Sequence, residues 1–196
     1  MQQGGNPPEM PEGAQQGGQQ GGPQQGGQQG GMGSDDVKLI YSDDNISSYS
    51  NIFDNAKTKV SKADKKRLIA SLKKLNAQED IESVVDTDAV IRYFVVHNFV
   101  CNFDSYTGDM IHNYYLYEKN GQMSMIPWDY NLAFGGFVGG ADATSLVNYS
   151  SDNPVSGGTV ESRPMLSWIF SNSKYTTLYH SYFAEFLETC YASGYM

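Results

Sequence analysis

Residues His112 to Gly136 read HNYYLYEKNGQMSMIPWDYNLAFGG, and the dipeptide Asn120-Gly121 near their centre decides what the surrounding chain can be. Asn-Gly supplies the two positive φ values of a type I′ turn, and apolar or aromatic runs flank it on both sides, which predicts a β-hairpin. Tyr114, Tyr115 and Tyr117 then stand on a strand whose side chains alternate, so some rings belong to the core and others line a cleft. After the second strand, Pro127, Trp128 and Asp129 lead into NLAFGGFVGGADATS, a Gly-rich loop beneath which Trp128 is expected to pack. The Asn, Ser, Asp and Gly content up to Thr159 extends it as a long surface loop.

On the N-terminal side of the hairpin lies NFDSYTGD, Asn102 to Asp109, a polar loop. It is preceded by AVIRYFVVHNFVC, which has apolar residues on nearly every side and therefore predicts a helix in the middle of the domain, opening near Asp86 as N-cap. Ser61 followed by Asp64 has the spacing of a capping box, and Leu68, Ile69, Leu72 and Leu75 then share one face of an amphipathic helix reaching about Asn76. VKLIYSDD suggests a short strand or extended arm, and SSYSNIFDNAKT reads as irregular or weakly helical. Beyond the long loop, RPMLSWIFSN opens a helix beside Pro164, and KYTTLYHSYFAEFLETCYAS gives a last one ending at Gly194. The fold class is α+β, mostly helical with one hairpin, over residues 35–196.

Residues 1–34 have a different character. Gly, Gln and Pro supply twenty-six of them and none is aromatic, so they lack the side chains to offset the entropy of ordering and are expected to be disordered. Of the net charge of −9, only Glu9 and Glu12 lie in this tail, so the remainder stays acidic, which argues against nucleic acid as a partner. Eight of the thirteen bases crowd between Lys57 and Lys74, where the solvated face of a helix accounts for them. Cys101 and Cys190 have neither a CxxC nor a zinc spacing and read as buried thiols in apolar helices. No stretch reaches the length of a membrane span, and the N-terminus lacks the basic and apolar regions of a signal peptide.

The order of buried helix, loop with Asp104, hairpin and Asp129 carries the chemistry. Phosphoryl transfer asks for one carboxylate near the attacking hydroxyl and a second, across a short hairpin, that holds magnesium against nucleotide phosphates. A hairpin between Asp104 and Asp129 brings both loops to one end. Magnesium takes hard oxygen ligands, for which Asp129 and Asn113 are suitable types. Taken alone, an Asp in NFDSYTG is a turn former, Asp129 is natural in a turn after Pro127, and Asn113 equally well starts a strand. His97 and His112 read as structural or supporting groups, because the nucleophile elbow that a serine triad needs is missing.

At these residues the chain resembles the CotH kinase family, the spore-coat protein H kind of atypical kinase. The likeness rests on HNYYLYEKNGQMSMIPWDYNLAFGG with NFDSY before it, and extends to SSYSNIFDNAKT, KKRLIASLKKL, RYFVVHNFV and RPMLSWIF. It implies an atypical protein-kinase-like catalytic lobe, with ATP and Mg²⁺ as cofactors and Ser/Thr of protein partners as phosphate acceptors. By the same resemblance Asp104 takes the catalytic-loop role, Asp129 that of the metal-binding Asp, and Asn113 that of a metal or phosphate contact. Spore coat, cell surface or secretion is the implied location. The nucleotide-binding small lobe with its Lys has no counterpart here, so the chain is expected to be an incomplete kinase, or else a noncatalytic module of a coat or surface assembly that keeps the fold.

Overall fold

A computed structural model describes residues 33–137 and 142–194 of the chain. The segment 1–34 expected to be disordered lies outside the described residues except for Gly33 and Ser34, whose Oγ donates to Asp36 Oδ1 at 2.6 Å. No strand forms over 37–44. A turn there, with Leu39 N–H donating to Asp36 O at 3.0 Å, passes into an extended arm. One 3₁₀ turn and the single-turn helix α1 (Ser50–Phe53) follow, burying Tyr49 and Phe53.

Helix α2 (Lys62–Ala77) begins at the predicted capping box: Ser61 Oγ accepts from Asp64 N–H at 3.2 Å, and Asp64 Oδ2 accepts from Ser61 N–H at 2.9 Å. Two of the orphan donors at the helix start are thereby satisfied. Ile69, Leu72 and Leu75 are buried, while Leu68 stays half-buried at the edge of that face. A short helix α3 (Ile81–Val84) leads to α4 (Thr87–Phe99), which is N-capped by Asp86 Oδ1 accepting from Ala89 N–H at 3.2 Å. Helix α4 is central as predicted: Val90, Ile91, Tyr93, Phe94, Val95 and His97 are buried, and it packs on the hairpin and on both C-terminal helices. It stops at Phe99, short of Cys101. That cysteine has φ +46° and is buried just past the helix, its carbonyl being used by a later loop.

Strands β1 (Tyr114–Lys119) and β2 (Gln122–Pro127) pair antiparallel in the register Tyr114 to Pro127 and Lys119 to Gln122. Asn120 and Gly121 between them have φ +56° and +88°, as the type I′ reading requires. A lone hairpin is marginal in water, so its place is set by packing. Met123 and Met125 enter the core, Val85 bridges Met123, and Asp86 N–H donates to Met123 O at 2.9 Å, fastening β2 to the start of α4.

The stretch read as one long surface loop is less uniform than that. Helix α5 (Ala143–Val147) forms within it, capped by Asp142 Oδ1 on Ser145 N–H at 2.8 Å. Farther on, Val155 is buried and Ser156 N–H donates to Thr107 O at 2.9 Å, so the polar composition conceals a segment that caps the Asp104 loop. Helix α6 (Pro164–Ser171) is almost wholly buried, and α7 (Ser173–Phe186), continued by a π-helical turn over Leu187–Ala192, closes against α4. Among the described residues no helix is long and apolar enough to cross a membrane.

Candidate functional site

The loop between α4 and β1 carries Asp104, and its backbone is bent at Cys101, Ile111 and Asn113, all with positive φ. Such φ values cost energy in non-Gly residues and persist only where the surroundings enforce them. Arg163 holds the middle of the loop, between these bends. Its side chain is 2 % exposed, and its guanidinium donates to Tyr106 O and Gly108 O, both at 2.8 Å, to Gly157 O, and to Ser162 Oγ at 2.7 Å. A rigid fork of five N–H donors suits several carbonyls converging on one point. Burial lowers its pKa, opposed by the charge of Asp109. Tyr106 adds a second anchor, its hydroxyl donating to Lys38 O at 2.8 Å and accepting from Met165 N–H at 3.1 Å. Gly108 fits so closely that a Cβ there would lie 1.8 Å from Phe103 O.

Within this frame Asp104 is buried, and its bonding is unlike that of a turn-forming Asp. No main-chain N–H among the described residues donates to its carboxylate; Oδ2 accepts from Asn113 Nδ2 at 3.2 Å, and the same amide reaches Asp104 O at 2.9 Å. Oδ1 lies 3.1 Å from His112 Nε2, but the two are not aligned as a hydrogen bond, so Oδ1 remains without a donor. An Asp that served only the turn would spend its oxygens on the loop's own amides. Asn113 is likewise fixed twice, by its amide and by Ser105 Oγ donating to Asn113 O at 3.4 Å. That leaves its Oδ1 without a hydrogen bond among the described residues, and oxygen is the atom a hard cation would use.

Asp129 lies just past β2 in the left-handed region, φ +51°, exposed and without a hydrogen bond or ion pair among the described residues. Because Tyr114 pairs with Pro127, Asn113 and Asp129 emerge at the same open end of the hairpin. Asp104 and Asn113 are therefore in direct contact, whereas Asp129 makes no hydrogen bond to either. Trp128 does not pack beneath this loop. It is 55 % exposed and stands edge-on to Tyr115 at 5.3 Å, because strand alternation carries both rings to the outer face. The residue beneath is Tyr130, whose hydroxyl is 3.0 Å from His97 Nδ1. Burial pushes the Tyr130 hydroxyl up to about 12, with Tyr93 and Asn102 acting against the rise. Beyond it, Phe134 N–H donates to Val100 O at 2.5 Å and Gly135 N–H to Cys101 O at 3.2 Å, stitching the Asp129 loop to the segment that leads to Asp104.

His97, read from the sequence as structural or supporting, is wholly buried with its Nε2 3.0 Å from Thr107 Oγ1, and burial takes its pKa down to about 3, so the ring is neutral. Arg163, Tyr130 and Asn102 were not singled out from the sequence. Only Asn102 carried a local signal, standing two residues before Asp104; its amide is 1 % exposed with neither polar atom hydrogen-bonded.

Among the described residues no group of three or more His, Cys, Asp and Glu side chains could hold a metal. A cation caged by protein alone is therefore a poor fit. A magnesium ion completed by phosphate oxygens and water needs only one or two carboxylates and a carbonyl, and Asp129 and Asn113 Oδ1 are oxygen donors of those types at the open end of the hairpin. A family model described as CotH kinase protein matches residues 29–196, most of the chain. No curated protein matches, nor does any solved structure.

Proposed function

The chain belongs to the CotH kinase family, and from that premise we propose that it serves transfer of the γ-phosphate of ATP to Ser or Thr hydroxyls of protein partners, with the fold over 35–196 acting as the catalytic lobe. The observation that carries the assignment is the carboxylate of Asp104, buried, given no main-chain N–H by its own loop and, among the described residues, with Oδ1 left without a hydrogen bond although His112 Nε2 lies 3.1 Å away. Buried polar atoms in native proteins are satisfied in the great majority, and a carboxylate oxygen left open beside Asn113 suits a group that receives a substrate hydroxyl.

In this reading Asp104 orients the acceptor hydroxyl and takes its proton. The hydroxyl oxygen forms a bond to the γ-phosphorus, the bond from that phosphorus to the β–γ bridging oxygen breaks, and ADP leaves with the electron pair. Asn113 keeps Asp104 in place through its amide nitrogen. Asp129 and the Asn113 carbonyl would hold Mg²⁺, which when bound neutralises charge on the phosphates. Exposure of Asp129 at the open end of the hairpin suits a ligand that arrives with the nucleotide.

The test, in a protein that joins this lobe to a nucleotide-binding small lobe, is labelled-phosphate transfer to a Ser-rich protein together with nucleotide titration. Asp104→Asn should leave nucleotide affinity largely intact while the rate falls about a hundredfold, the scale of general-base loss. Asp129→Ala should abolish magnesium-dependent binding and transfer together. Folded variants that both transfer phosphate at the wild-type rate would sink the assignment and leave a noncatalytic module.

A further inference from the structure

The loop after α4 and the loop after β2 meet on a single side chain, and that side chain belongs to neither. His97 stands on α4 with its ring stacked on Tyr93 at 5.2 Å and an interplanar angle of 17°, and edge-on to Phe94 at 6.2 Å. Those faces fix the plane of the ring and aim its two nitrogens in opposite directions. Nδ1 meets the hydroxyl of Tyr130, next to Asp129; Nε2 meets the hydroxyl of Thr107, three residues after Asp104; both distances are 3.0 Å. A histidine that only filled space would need neither partner, and an aromatic or aliphatic side chain would serve there as well.

We propose that His97 is a positioning residue, a rigid bridge that fixes the Asp129 loop and the Asp104 loop relative to each other. A neutral imidazole has one N–H donor and one acceptor, and each hydroxyl can take the complementary part, so either tautomer closes both bonds. The bridge is uncharged and buried at His97 and Thr107, which are 0 % and 1 % exposed, while Tyr130 is half-buried, and no carboxylate or ammonium forms an ion pair with the ring among the described residues. Asp129 itself has no hydrogen bond among the described residues, so its position depends there on the residues on either side. Tyr130 is tied through the bridge, and Phe134 and Gly135 through their amides to Val100 O and Cys101 O. Cutting the bridge at Tyr130 leaves the far anchors and frees the near one.

The importance of this bridge for turnover rests on the kinase reading of Asp104 and Asp129, but the bridge itself is tested without turnover. Amide hydrogen exchange is followed in the full chain for wild type, Tyr130→Phe, Thr107→Val and His97→Phe. Tyr130→Phe should speed exchange about fivefold, the scale of one hydrogen bond, in the segment 130–136 and not in 104–109. Thr107→Val should do the reverse, and His97→Phe, which keeps the stacking ring, should speed both. Folded single-hydroxyl variants that change neither loop, or loosen both alike, overturn the bridge. These two variants also decide the matter if His97→Phe does not fold. In transfer assays the same split is expected: Tyr130→Phe raises the magnesium needed for half-maximal rate, while Thr107→Val lowers kcat at saturating metal. No transfer at all by the wild-type lobe joined to a nucleotide-binding small lobe counts against the kinase reading alone, because the exchange pattern still accepts or rejects the bridge.

Discussion

Acid should destabilise this protein through His97 by an amount that the geometry sets. The ring is wholly buried between Tyr93, Phe94, Tyr130 and Thr107, and burial alone takes its pKa from 6.5 down to about 3. The titratable groups facing it are tyrosines held above their ordinary value, which stay neutral throughout the acid range. Since the folded pKa is the lower one, the unfolded chain binds a proton that the folded chain refuses. The stabilisation is complete above about pH 6.5 and is lost as pH falls toward about 3, where it levels off. At about 1.4 kcal/mol per pH unit, a drop from about pH 7 to about pH 4.5 removes roughly 3 kcal/mol. Urea unfolding of wild type and His97→Gln at both values isolates this contribution. Exposed carboxylates with lowered pKa values, such as Asp64 and Asp80, weaken both proteins equally on acidification. The stability gap between the two proteins should therefore shrink by roughly 3 kcal/mol at the lower pH. A gap that stays constant would mean that the ring is not held neutral, and the buried bridge would fall with it.

Two further substitutions probe the frame around Asp104. Arg163→Met takes charge-assisted donors from the buried carbonyls of Tyr106 and Gly108, at about 1.5–3 kcal/mol each, so denaturant unfolding should show a loss of about 3–6 kcal/mol; Arg163→Lys should recover less than half, since one ammonium cannot span both carbonyls. Gly108→Ala drives a methyl group to 1.8 Å from Phe103 O, main chain that cannot swing aside. That overpacking should cost about 3 kcal/mol, roughly 10 °C in melting temperature, and an unchanged melt would contradict the loop geometry.

How far the site could be read ahead of the fold differs from residue to residue. Asp104, Asn113 and Asp129 stood out through the order of loop, hairpin and loop together with the resemblance to the CotH kinase family, and the strand pairing puts Asn113 and Asp129 at the open end of the hairpin. Trp128 was misplaced because its neighbours, Pro127 and a Gly-rich loop, do not reveal which face of the strand turns inward. The positive φ of Asp129 reverses the chain and sends Tyr130 inward instead. Arg163 looked like an ordinary residue ahead of a helix-starting proline, and only the convergence of carbonyls from Tyr106, Gly108 and Gly157 shows its purpose.

The sequence by itself determined what closes within a few residues: the Asn120-Gly121 turn, the Ser61–Asp64 capping box, the Asp86 cap and the all-round apolar face of α4. In each of these the partners are chain neighbours, so spacing alone specifies the contact. Only the tertiary structure decided that His97 meets Tyr130 thirty-three residues on and that Arg163 reaches back fifty-seven to Tyr106. Such pairings depend on how α4, the hairpin and α6 pack against one another, and no local spacing encodes the direction in which a buried side chain will find its partner.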